Sequence, residues 1–246
     1  KNKKSISKGE IYYYEIGDYL DRKQKLNIIK NFGSYKEIKN KNKFKLIKPD
    51  KNNDWINQGD ERFSTFISLG DKRMKNSSLM FTSYSLGVGT NRDAWCYNFS
   101  NKKLTGNITK LIKFYNSEII RLKNIPKEKI KNNINVDQKK ISWSHGLISL
   151  LSKKEKLHFH EENKRVVFYR PFVKTNLYFD KNVNERTSIN SKIFPNMKIK
   201  NRTICVTGVG ARGGFSALML NSISDLNMLE GGAQCFPLNL YNNQDL

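Results

Sequence analysis

Between Leu104 and Leu122 the apolar residues Leu104, Ile108, Leu111, Ile112, Tyr115, Ile119 and Leu122 recur at the spacing of one helix face. Pro126 ends the pattern. This stripe predicts a long helix that must bury one side against something else, and the remaining apolar segments supply short strands for it. Aromatic and β-branched runs at Ile11–Ile16, Trp95–Phe99, Arg165–Arg170, Leu177–Asp180, Thr203–Thr207 and Gln234–Leu238 read as strands bounded by Gly, Pro, Asn or Asp. A second helix is expected over Arg22–Lys30, capped by Asp21 and stopped by Gly33, and a third ends at Lys153-Lys154. The Lys/Asn-rich stretch from Tyr35 to Asn53 reads as a linker with one exposed strand, Phe44–Ile47. Parallel βα units are lacking. The expected class is therefore α+β, with mixed, largely antiparallel sheets and flanking helices.

A chain of 246 residues with 37% hydrophobic residues has room for one large domain or two small ones. No apolar run reaches the roughly 18 to 20 residues that span a bilayer, so no membrane association is expected. Three cysteines, Cys96, Cys205 and Cys235, are too few and too scattered for a disulfide framework or a thiolate metal site. With no secretory signal either, a reducing cytoplasmic location is expected. The chain opens on Lys1 rather than Met, which suggests a piece of a longer polypeptide.

The net charge is +23. Richness in Lys and Asn is what AT-biased codons produce, but the same bias would raise Asp and Glu, so the excess of base over acid needs another cause. A polyanion attracted at long range and bound with counterion release is the simplest; a merely solvated surface is the competing reading. Arg is scarce beside Lys and therefore more informative, because its fork grips phosphate or a guanine edge. Arg92, Arg170, Arg202 and Arg212 stand in Gly-, Pro- or aromatic-rich settings rather than in the Lys runs.

Catalytic signatures are weak. Gly208-Val209-Gly210-Ala211-Arg212-Gly213 follows a strand and has the spacing of a dinucleotide loop, yet Gly214-Phe215-Ser216 opens a helix poorly and no Rossmann half follows. A turn whose backbone and Arg212 approach a phosphate is the preferred reading. His158 and His160 lack a third metal ligand, and Asp21 with Glu37-Ile38-Lys39 matches a nuclease pattern only at the level of chance in a Lys-rich chain. No catalytic, cofactor-binding or metal residue is assigned.

What remains is a surface of aromatics interleaved with Arg, Asn and Ser at Gly89–Trp95, Trp143–Gly146 and Tyr169–Phe172. The candidate DNA-binding residues in and around these segments are Asn91, Arg92, Ser144, His145 and Arg170. Lys153, Lys154, Lys174, Arg186, Arg202 and Arg212 complete the set. The competing reading makes the aromatics core residues and lets Arg92 and Arg170 pair internally.

At these same segments the chain resembles the region that follows the methyltransferase domain in Type ISP restriction-modification enzymes. The resemblance rests on Glu15–Leu20 with Lys25-Leu26, Asp54–Gln58, Leu69–Lys72, Thr90–Trp95, Tyr97–Ser100, Phe114–Asn116 and Trp143-Ser144. Tyr169-Arg170-Pro171-Phe172 with Leu177–Asp180, and Ser224–Leu226 with Gln234–Leu238, complete it. It implies residues 1–60 as the tail of a methyltransferase domain and a linker, and 61–246 as a target-recognition domain. It also implies double-stranded DNA as partner, together with methyltransferase, translocase and nuclease domains on the same polypeptide. The full enzyme would use S-adenosylmethionine, ATP and Mg; this fragment carries none of their motifs. Stand-alone Type IIG enzymes share the Tyr-Arg-Pro-Phe segment, so the translocase is less firmly implied than DNA recognition. Val173-Lys174-Thr175 and Leu238-Asn239-Leu240 depart from the usual pattern, which bears on local contacts only. The alternative function is a nonspecific single-stranded nucleic-acid or RNA-binding module that uses aromatic stacking.

Overall fold

A computed structural model describes residues 9–40, 44–56, 58–60, 62, 65–71, 78–208 and 210–242. Two compact units emerge, Lys1–Phe66 and Ile67–Leu246. Lys1–Lys8, Asn57, Lys72 and Val209, which figured in the sequence readings, lie outside the described residues.

In the first unit β1 (Ile11–Tyr13) pairs antiparallel with β2 (Lys45–Ile47). Between them run α1 (Arg22–Phe32) and α2 (Tyr35–Asn40). Local chemistry fixes both ends of α1. The Asp21 carboxylate accepts from the Gln24 N–H at 2.8 Å while the Gln24 side chain accepts from the Asp21 N–H at 2.8 Å, a reciprocal capping box. At the far end Gly33 takes φ 67° and donates its N–H to the Lys30 carbonyl. The expected linker at Tyr35–Asn53 is thus partly helical, because Ser34 carbonyl bonds start a turn over its Lys-rich beginning.

The second unit holds two antiparallel sheets and one long helix, which packs against the three-stranded sheet. The three-stranded sheet has the order β4 (Tyr97–Asn98), β6 (Val173–Tyr178), β5 (Lys164–Arg170). The four-stranded sheet has the order β3 (Ser85–Leu86), β9 (Gln234–Pro237), β7 (Thr203–Val206), β8 (Ala217–Leu220). Backbone bonds link the sheets: the Phe168 N–H donates to Ile223 and the Asp225 N–H donates back to Phe168, at 2.9 and 2.7 Å. Short helices α3 (Asp93–Cys96) and α6 (His145–Ser152) pack on α4 (Asn101–Arg121), α5 (Ile130–Asn133) packs on α6, and α7 (Asn190–Ile193) precedes β7. The expected class, α+β with largely antiparallel sheets and flanking helices, is the observed one.

Helix α4 starts at the Ser100 cap and buries the stripe read from the sequence, with Leu104, Ile108, Leu111 and Tyr115 fully enclosed. Leu147 and Leu151 of α6, Val167 of β5, and Leu177 and Tyr178 of β6 join the same core. A smaller core of Leu220, Met228, Leu229 and Ala233 lies against the four-stranded sheet. Trp95 and Cys96, expected in a strand, are helical instead: the Arg92 carbonyl accepts from both of their N–H groups, and the strand begins at Tyr97.

One sequence reading needs correction here. Cys205 and Cys235 face each other across β7 and β9 and are disulfide-bonded, so scattered sequence positions did not preclude a bridge. Gly208 and Gly210–Gly213 lie between β7 and its antiparallel neighbour β8, and no helix follows among the described residues, which agrees with the preferred turn and not with a dinucleotide loop. Gly208 is required by crowding, since a Cβ there would collide with the Gly231 carbonyl oxygen. Among the described residues no helix is long and apolar enough to cross a membrane.

Candidate nucleic-acid interface

The sequence-nominated residues divide into interior braces and exposed cations. Arg92 is a brace. Its side chain is fully enclosed, donating Nε to the Ser142 carbonyl at 3.1 Å, one terminal nitrogen to the Val183 carbonyl and the other to the Ser144 hydroxyl. Ser144 in turn donates to Glu185 Oε2 at 2.5 Å and caps α6 by accepting from the Leu147 N–H. Burial pulls the Arg92 guanidinium below its ordinary value, with Cys96 and Glu185 pulling it back up. Arg92 and Ser144 therefore tie the Thr90–Asp93 turn to α6 and to the Val183–Glu185 segment, and neither offers a free fork to a ligand.

Arg170 is a second brace. Its guanidinium bonds Asp225, lies 4.0 Å from Asp93 and stacks 4.1 Å from the Tyr169 ring. Tyr169 donates to Asp93 at 3.1 Å, and Tyr97 donates to the other Asp225 oxygen at 3.2 Å. Asp225 is 2% exposed, and burial pushes its carboxyl up while the Asn227 N–H and Arg170 pull it down. Burial and the neighbouring Asp225 and Asp93 carboxylates likewise push the Tyr97 hydroxyl up. These groups form an ion-pair cluster at the turn end of the β5–β6 hairpin. Internal pairing, the competing reading for both arginines, is what their contacts show.

The exposed candidates sit on connections. Gly89 and Arg186 exchange backbone bonds of 2.9 and 2.8 Å, which brings the left-handed turn at Asn91 beside Arg186. His145 opens α6 and lines an open groove of about 710 Å³ with Lys127, Lys131, Trp143 and Ser149. Lys153 and Lys154 follow that helix, and the Lys154 ammonium donates to the Lys123 carbonyl at 2.9 Å. Lys174 stands over the Phe168 ring at 4.9 Å. Arg202 and Arg212 flank opposite ends of β7 and are both exposed. The candidates are thus spread over several loops rather than gathered in one cluster. Lys127 and Lys131 were missed, because nothing in a Lys run distinguishes a groove-lining lysine from a solvated one.

The free thiol, Cys96, is buried and pushed up to about 12 chiefly by desolvation, so it is no nucleophile. Among the described residues no group of three or more His, Cys, Asp or Glu could hold a metal ion. His160 faces Glu162 at 3.5 Å.

The profile of the Type ISP C-terminal specificity domain matches residues 79–246. The chain belongs to that family. A nuclease-deletion mutant of the Type ISP restriction-modification enzyme LlaGI, in complex with a DNA substrate mimic, superposes with a TM-score of 0.85 at 35% identity. That match covers 96% of this chain and 22% of the other. The ATP-dependent Type ISP enzyme LlaBIII bound to DNA gives 0.80 at 31% identity, covering 97% and 15%. DrdV, in a DrdV–DNA complex, gives 0.80 at 27% identity, covering 96% and 23%. Curated proteins yield no match. The chain therefore spans between 15% and 23% of the length of those matched chains.

Proposed function

We propose that this specificity domain recognises a short sequence in duplex DNA and positions a neighbouring N6-adenine methyltransferase on it. The observation that carries the reading is the placement of exposed cations and amide side chains on strand-connecting loops: Asn91, Arg186, Lys174, Arg202 and Arg212 all project from connections or strand ends. Loops on a rigid scaffold are where base-reading side chains belong, while the lysine-rich remainder supplies salt-dependent backbone affinity. On this reading Arg92, Ser144 and Arg170 act indirectly, by holding those loops in register.

The same reading takes residues 1–60 as the tail of the methyltransferase domain with its linker, and the rest as the recognition domain proper. S-adenosylmethionine, ATP and Mg belong to parts of the enzyme outside this chain, as do the translocase and nuclease. Reaching the amino group of a paired adenine requires flipping it from the stack, so the recognition domain's task is to fix the register at which that happens.

The test is selection of bound molecules from a randomised duplex pool at moderate salt, followed by sequencing. Enrichment of one short asymmetric site is expected. Retention without any motif overturns base reading by this domain alone, and preference for single strands replaces the proposal with a stacking-based binder.

A further inference from the structure

The glycine-rich loop between β7 and β8 already holds an anion. Two consecutive backbone N–H groups, those of Arg212 and Gly213, converge on the Glu230 carboxylate, one on each oxygen, at 3.1 and 2.9 Å. Glu230 comes from the connection between β8 and β9, and its own carbonyl accepts from the Gly208 N–H at 3.0 Å, so both ends of the loop are pinned to one residue. Arg212, Gly213, Gly214 and Glu230 are all exposed. Among the described residues the Arg212 guanidinium has no hydrogen-bond or ion-pair partner.

Successive amides aimed at one point form an anion nest, and a bidentate carboxylate presents two oxygens much as a phosphodiester does. A carboxylate on a solvent-exposed connection gains little by staying, because water and salt screen its attraction. We propose that this nest is a phosphate-binding site latched by Glu230, and that a backbone phosphate of bound DNA displaces the carboxylate, with Arg212 closing over the phosphate from the side. The inference rests on the DNA-binding reading above and adds to it a site and a gate. The latch leaves the loop ordered in the free protein and makes its phosphate contact conditional on DNA close enough to compete.

The test compares Glu230→Gln with Glu162→Gln, an exposed residue outside the loop whose substitution changes the net charge equally. Glutamine puts an NH2 donor where the second carboxylate oxygen accepted, so it cannot give each amide its own oxygen. Binding of a 30-base-pair duplex of arbitrary sequence is measured for the whole chain across a salt series. Glu230→Gln is expected to bind about fivefold more tightly than Glu162→Gln, the upper end of what an exposed, solvent-screened charge contact contributes. Adding Arg212→Ala is expected to remove the gain. Equal affinities for the two glutamine variants overturn the latch, as does a lowered melting temperature of Glu230→Gln with no gain in affinity, which makes Glu230 a structural staple. Gain for inorganic pyrophosphate without gain for duplex overturns DNA as the source of the phosphate. Failure of the unsubstituted chain to retain duplex at low salt defeats the DNA-binding reading itself.

Discussion

Arg170 shows how one side chain can carry opposite meanings in sequence and in structure. Its fork is spent on Asp225 and Asp93, so its removal leaves a 2% exposed carboxylate without its main counter-charge. Arg170→Ala is expected to lower stability by about 2 kcal/mol at neutral pH, less than a fully buried pair because the guanidinium is partly exposed. The sign with pH follows from Asp225, whose folded carboxyl lies above its ordinary value. Such a group favours the folded state while protonated and loses that contribution as pH rises through its folded value. Without Arg170 the value moves further up, so the deficit should grow as pH rises above the ordinary carboxylate range in denaturant titrations. A constant deficit would remove Asp225 from the explanation. Phe172 tests strain at the tip of the same hairpin. It is 85% exposed with φ 64°, a conformation that costs an L-residue about 1–2 kcal/mol, and it has little packing to lose. Phe172→Gly should therefore raise stability by about 0.5–1 kcal/mol after the entropy penalty of glycine, read as a higher melting temperature.

Elements were legible where their signals are local. Helix α1 could be read because Asp21, Gln24 and Gly33 complete its caps within twelve residues, and α4 because one apolar stripe had to be buried. Strand β8 was missed, since Ala217 and Met219 face outward and Ala-Leu-Met-Leu carries no β-branched residue. The braces were undecidable for a related reason: Arg92 meets Ser142 and Val183, and Arg170 meets Asp225, at separations no spacing rule reaches. Glu118 is the clearest interaction hidden within an element. Lodged on the buried face of α4, it accepts two bonds of 2.6 Å from Arg121 and one of 3.0 Å from the Asn135 N–H. Burial would push its carboxyl up, yet Arg121 and Asn135 outweigh it and hold the group below its ordinary value. That stabilisation is present above the unfolded value and is lost as pH falls through the lower folded one. Glu118→Gln should cost about 2 kcal/mol at pH 7, and the gap to the unsubstituted chain should close below about pH 4. A gap that persists in acid would make it a packing effect.

At the scale of the whole molecule, the division between braces and exposed cations turns a net charge of +23 into a prediction about which charges matter. Charge alone is ambiguous, because a solvated basic surface and a DNA-docking one have the same composition. Burial resolves part of the ambiguity by removing Arg92 from any direct contact, and position resolves more, since Lys174, Arg186, Arg202 and Arg212 stand exposed on loops or strand ends. Replacing each of these four with alanine should leave melting temperature nearly unchanged, because exposed cations away from ion pairs contribute within about 0.5 kcal/mol. The variants should then separate by what they do to DNA. A residue that only neutralises phosphate weakens all duplexes alike and lowers the slope of log affinity against log salt by about one. A residue that reads a base edge relaxes selectivity at one position and costs about 1–3 kcal/mol on the selected site alone. Arg186, beside the left-handed Asn91 turn and held there by the Gly89 backbone pair, is expected in the second class, and Lys174 in the first. Measuring both readouts on a selected site and on a scrambled duplex decides each case. If Arg186→Ala behaved as Lys174→Ala does, with uniform loss and an unchanged site preference, the Asn91–Arg186 corner would be a backbone clamp and base reading would have to come from another loop.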